Sequence, residues 1–181
     1  MSDASGGFVG FVEARCAIEQ LLARYAELID DGDFDGVGAL LAECVLMTDD
    51  GTRVAGGRDE IAALYRSTTR LYDDGTPRTS HVMTNLIVEP DLDPPGEHDI
   101  EYAAGPRFVA RSYFTVFQAT DDVVLQAIIA GRYQDVVERR TDGTWVIVER
   151  RFRLRLLGDL RAHLLFDPAT LGPPSAKVPP S

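Results

Sequence analysis

Positive charge is scarce in this chain and comes almost entirely from arginine. Lys177 is the only lysine, and 18 basic residues face 29 acidic ones, for a formal net charge of −11. A nucleic-acid partner is not expected, because binding a polyanion needs a basic surface that releases counterions. Cysteine is nearly absent too. Cys16 and Cys44 have no CxxC spacing and no neighbouring histidine, so they are expected to be buried free thiols rather than metal or redox groups. No apolar run approaches the roughly 18 residues of a membrane span, so no membrane partner is expected. Only three histidines occur, His81, His98 and His163, in a strand-like, a loop-like and a tail segment, with no HxH or HExxH spacing. A metal is not expected from that distribution. There is no GxSxG elbow, and Ser80 and His81 are adjacent on a strand, so their side chains point to opposite faces; a nucleophilic triad is not expected.

The chain has 181 residues, 45% hydrophobic and 26% charged. That suffices for one domain with a substantial core and is short for two. The opening MSDASGGFVGFVEARCAIEQ has neither the basic start nor the unbroken apolar centre of a secretory signal, so a cytoplasmic location is expected.

From residue 11 to 29, Ile18, Leu21, Leu22, Tyr25, Leu28 and Ile29 recur at steps of three and four, which predicts an amphipathic helix. Gly32 supplies its stop and Asp33 the N-cap of a short second helix through Val37, Leu40 and Leu41. CVLMTDDGTRVAG reads as a hairpin around a D-G turn, and residues 58–72 return to helical spacing. After residue 78 the chain turns extended. Segments 81–89, 108–119, 123–138 and 145–156 are rich in Val, Ile, Thr, Phe and Tyr, joined by the loop PDLDPPGEHD, the turn ATDD and the D-G hairpin RTDGT. Helices first and a sheet after define the α+β class. The sheet should be antiparallel and strongly curved, packed against the three N-terminal helices. The expected division is a domain over residues 8–160 and an irregular, proline-rich tail over 161–181.

RTSHVMTN places His81 in the first long strand. Strict alternation puts Met83 and Asn85 on its face, a mixed face that suits a pocket wall better than a sealed core. The acidic corner LIDDGDFD ends the first helix. Asp33 and Asp35 suit capping or solvent, whereas only one of Asp30 and Asp31 is needed to end the helix. A carboxylate bonded to one ring nitrogen of His81 would fix its tautomer and strengthen the other nitrogen as a base. Tyr25, five residues before Asp30, lies about 140° from it around the helix, yet both reach a common cavity if the helix end forms its rim.

The pieces RYAELIDDGDFDGVGALL, GTRVAGGRDEI, SHVMTNLIV, AGRYQDVVERR and DGTWVIVERR, in this order over residues 12–157, resemble the SnoaL-like branch of the nuclear transport factor 2-like superfamily. That branch is similar to scytalone dehydratase, bile acid 7α-dehydratase and a hexachlorocyclohexane dehydrochlorinase. The resemblance implies a cone-like α+β barrel closed by helices over a deep apolar pocket. It implies catalytic roles for Asp30, His81 and Tyr25, with Arg150 a further match in WVIVERR and Asp31 a one-residue alternative to Asp30. Asp31, Met83, Asn85 and Arg150 are the expected substrate contacts. The expected activity is a cofactor-independent lyase or isomerase acting on a small hydrophobic, cyclic substrate of steroid or polyketide kind, in a homo-oligomer, dimer or trimer. The same fold serves non-catalytic partners such as the small subunits of ring-hydroxylating dioxygenases, and ligand binding or oligomerisation without chemistry is the alternative.

Overall fold

A computed structural model of the chain describes residues 4–91 and 106–171. The expected loop after residue 90, including His98, and the last ten residues of the tail lie outside the described residues. Three helices come first: α1 (Ala4–Asp30), α2 (Phe34–Leu40) and α3 (Gly57–Thr68), with the short strands β1 (Val45–Thr48) and β2 (Arg53–Gly56) between α2 and α3. Four long strands follow, β3 (Thr79–Pro90), β4 (Arg107–Gln118), β5 (Gln126–Arg139) and β6 (Trp145–Leu157), and then a 3-10 turn, Pro168–Leu171. The sheet order is β2-β1-β6-β5-β4-β3.

The α+β class and the curved sheet under three helices are as the sequence predicts. Two features of the sheet differ from a closed antiparallel barrel. β1 runs parallel to β6, because the chain enters β1 from the helical layer rather than from a hairpin off β6. β2 and β3 are not paired with each other, which leaves the cone open along one side.

Helix α1 buries one stripe, Ile18, Leu22, Tyr25 and Ile29, at helical spacing onto the concave sheet face. β4 answers with strict alternation, turning Phe108, Ala110, Phe114 and Val116 inward. The end of α1 is fixed tightly. Gly32 takes φ +74°, and a Cβ there would meet the Gly75 carbonyl oxygen at 2.3 Å, so glycine lets the turn before β3 close onto the helix end. Asp33 caps α2 by accepting the Gly36 N–H at 2.8 Å.

Other expectations are corrected. Helix α3 stops at Thr68, four residues before the expected end. The Ser67 and Thr68 hydroxyls turn back onto the Leu64 carbonyl, at 2.9 and 2.8 Å, and Thr69 goes extended to pair with Leu164. Cys44 is buried, but Cys16 is exposed because it falls off the buried stripe of α1. Segment 160–165 packs into the body instead of trailing away. Its Ala162 carbonyl accepts from the Tyr72 hydroxyl at 2.7 Å, its His163 carbonyl accepts from Arg70 N–H at 2.8 Å, and Leu160 is buried. The packing therefore runs past the expected boundary at residue 160.

Candidate functional site

The turn that precedes β3 closes onto Gly32 at the end of α1, which brings Asp30 to the start of that strand. Its carboxylate is bound at both oxygens. Oδ2 accepts the His81 backbone N–H at 2.7 Å, and Oδ1 accepts the Thr79 hydroxyl at 2.7 Å and lies 2.6 Å from His81 Nδ1. Burial by itself would raise the Asp30 carboxyl, but the bonds and charge from His81 and the bond from Thr79 outweigh it and hold the group below the usual carboxylate range. An ionised carboxylate can only accept, so Nδ1 carries the proton of this contact, and in the neutral ring the lone pair then lies on Nε2. Both side chains are largely withdrawn from solvent, and the His81 ring lines a cavity of about 280 Å³ under the helices.

Deeper in the same cavity stands a stack of rings around one charge. The Arg150 guanidinium lies 4.4 Å from the Tyr25 ring centre and 4.3 Å from that of Tyr133. Its Nε and Nη2 donate to the two oxygens of Asp135 at 2.7 and 2.9 Å. Arg150 and Asp135 are each 1% exposed. Desolvation would favour neutral arginine, but the Asp135 carboxylate reverses that and keeps Arg150 firmly charged. The Tyr25 hydroxyl sits 2.8 Å from the Tyr65 hydroxyl of α3. Burial pushes the Tyr65 and Tyr133 phenols well above their ordinary range, so both remain protonated donors. Apolar walls complete the space, with Ile29, Leu64, Phe114, Val116, Ile129 and Phe152 among them.

Of the residues singled out in the sequence, Asp30, His81, Tyr25 and Arg150 come together here. Asp31, Met83 and Asn85 do not. Asp31 is exposed, in the turn just past the last residue of α1. Met83 and Asn85 border a separate depression with Glu19 and Leu22, between α1 and β3. Alternation fails at Asn85, which takes φ +55° at a bulge where the β3–β4 register shifts. The extra residue passes the inward positions to Leu86 and Val88. Tyr65, Thr79, Tyr133, Asp135 and His163 were missed. Tyr65 had a readable signal, since it stands among the apolar positions of α3. Among the described residues, no group of three or more His, Cys, Asp or Glu side chains could hold a metal ion, and no helix is long and apolar enough to cross a membrane.

The cone, the helix-end carboxylate and the strand-start histidine point to one family. The SnoaL-like domain matches residues 11–151, and the chain belongs to that family. Among solved structures it is similar to a nuclear transport factor 2-like protein with a cystatin-like fold from Novosphingobium aromaticivorans, at 21% identity and TM-score 0.61, covering 85% of this chain and 91% of that one. A candidate scytalone dehydratase from the same organism matches at 21% identity and TM-score 0.57, over 83% and 89% of the two chains. The β subunit of a candidate aromatic-ring-hydroxylating dioxygenase, also from that organism, matches at 18% and 0.57, over 86% and 97%. Among curated proteins no significant sequence match is found.

Proposed function

We propose that the protein is a lyase or isomerase of dehydratase type, working by general acid–base chemistry on a small cyclic carbonyl compound. The observation that carries this reading is the 2.6 Å contact between Asp30 and His81 Nδ1, made by a carboxylate whose other oxygen is also occupied. A carboxylate so held cannot turn away, so it fixes the tautomer in which Nε2 is the base. Nε2 would take the proton from carbon next to the substrate carbonyl, and Asp30 would stabilise the imidazolium that forms. Negative charge then grows on the carbonyl oxygen. The Tyr25 hydroxyl and the free Nη1 of Arg150 are donors suited to that oxygen. Where a hydroxyl lies β to the carbonyl, the imidazolium returns its proton to the departing oxygen and water leaves; where none does, reprotonation at another carbon isomerises the substrate.

A β-hydroxy ketone on a fused ring tests this directly. 3-Hydroxy-1-tetralone loses water to give 1-naphthol, whose fluorescence reports turnover. The expected result is turnover by the wild-type protein and a loss of roughly 10² to 10⁴-fold in folded His81→Ala. Equal turnover by that variant would remove His81 from the mechanism. A ligand-binding domain without chemistry is the second reading, favoured by the largely apolar walls of the cavity; binding of 1-naphthol with no turnover of any tetralone would select it.

A further inference from the structure

One imidazole in the cavity has no part in the chemistry above. His163 lies beyond β6, in segment 160–165, and its side chain lines the same cavity as His81 and Tyr25. It is 8% exposed, and its Nδ1 is buried without a hydrogen-bond partner.

Several polar groups in and beside the wall already have partners. The Asp30 oxygens are taken by Thr79 and His81, the Thr68 hydroxyl by the Leu64 carbonyl, and the Tyr25 and Tyr65 hydroxyls by each other. Among the described residues lining the cavity, only Arg150 and His163 keep a buried nitrogen without a partner, Nη1 and Nδ1 respectively. A buried polar atom without a partner is costly, and a histidine kept only for packing is ordinarily bonded.

The backbone around His163 does the structural work. Its N–H donates to the Leu160 carbonyl at 3.0 Å and its carbonyl accepts from Arg70 N–H at 2.8 Å. Ala162 is held by Tyr72, and Leu165 N–H donates to the Thr68 carbonyl at 3.0 Å. The segment is thus clamped to the end of α3 while the ring is left unbonded at the cavity. A site of this kind is preorganised for a guest that brings the missing partner.

We propose that His163 is a ligand-contacting residue, a second polar anchor that hydrogen-bonds a hydroxyl or carbonyl oxygen of the substrate remote from the oxygen held near Tyr25 and Arg150. The proposal rests on the reading of this cavity as a substrate site and narrows the substrate to cyclic molecules carrying at least two oxygens at separate ring positions. Burial keeps the ring neutral, pushing it down to about 4, with His81 adding to the fall and Asp30 opposing it. A neutral imidazole has one donor and one acceptor nitrogen and pairs best with a hydroxyl, which offers both.

Binding of 1-naphthol and of the dihydroxynaphthalene isomers, followed by calorimetry on wild-type, His163→Leu and His163→Gln protein, tests this. At least one diol should bind wild-type protein roughly tenfold more tightly than 1-naphthol, about the worth of one added hydrogen bond. That gain, taken as the ratio of diol to 1-naphthol affinity within each protein, should vanish in His163→Leu and return in part in His163→Gln. Nitrogen-15 spectra of the wild-type imidazoles, with the His163 signal assigned by its loss in His163→Gln, should show that ring alone shifting when diol replaces 1-naphthol. A gain that survives in His163→Leu, or a His163 signal unmoved by the diol, overturns the proposal and leaves the His81 chemistry standing. Failure of 1-naphthol and every diol to bind wild-type protein overturns the substrate-site reading and the proposal together.

Discussion

Asp135 and Arg150 face each other across β5 and β6, joined by two hydrogen bonds of 2.7 and 2.9 Å in a region closed to solvent. Removing one partner strands a buried charge, at a cost of about 3–5 kcal/mol, whereas removing both with apolar residues of similar volume is often nearly neutral. Asp135→Ala should therefore lower unfolding stability by several kcal/mol in urea titration. Asp135→Leu combined with Arg150→Met should recover most of it while losing catalytic activity, because the donor at Nη1 is gone. A single Asp135→Ala variant as stable as wild type would show that the pair is not holding the cavity floor.

Asp30 makes a different prediction, because its carboxyl is held below the usual range. A depressed carboxyl stabilises the fold above its unfolded value, and the contribution fades as pH falls through the folded one. Wild-type stability should thus decline below about pH 4, and Asp30→Asn should flatten that part of the acid limb. At neutral pH the same variant should fold yet lose catalysis by roughly 10²-fold or more, since asparagine can accept from Nδ1 but cannot stabilise an imidazolium. Turnover within twofold of wild type would remove the charge of Asp30 from the mechanism.

Asp135 also shows where sequence reading ran out. The D-G turn of RTDGT is plain in the sequence, and counting back from Arg139 opposite Trp145 would set Asp135 against Glu149, a repelling pair. A register shift between Val136 and Val137 moves Asp135 to Arg150 instead. One bulge, invisible to periodicity, made the strongest buried ion pair of the site. Asn85 repeats the lesson in reverse, because alternation read through its bulge put Asn85 on the cavity wall; Met83, before the bulge, keeps the face of His81 but meets α1 instead of the cavity. The helices and long strands were legible, since their spacing and turn residues are local. The meeting of Asp30 and His81 was legible as an expectation because one stands at the end of its helix and the other at the start of its strand, and the family resemblance pairs those two positions. His163 was not, because a tail that reads as irregular carries no period to show which way a side chain points.

The two thiols should differ sharply. Cys16 is exposed, while Cys44 is buried and its thiol is pushed up to about 12, chiefly by desolvation. An aromatic disulfide reagent at pH 8 should titrate one thiol in the native protein and both in denaturant. Cys16→Ser should abolish the native reaction. Rapid native reaction of that variant would mean that the α2–β1 corner around Cys44 opens readily.

His163 gives stability its own slope at mildly acidic pH. Its folded value of about 4 lies below the ordinary 6.5, chiefly through burial, with His81 adding to the fall and Asp30 opposing it. Between those two values the unfolded chain binds a proton that the folded protein does not, so stability should rise as pH climbs from about 4 to 6.5 and then level off. At full extent the linkage is worth roughly 3 kcal/mol. Unfolding free energies measured by urea titration at intervals across that range should show the rise in wild-type protein and lose most of it in His163→Gln, which has nothing to protonate. Below pH 4 both should fall together, because the Asp30 contribution is then being lost in each. A wild-type curve flat from pH 4 to 6.5 would mean that the ring is already charged, or open to water, in the folded state.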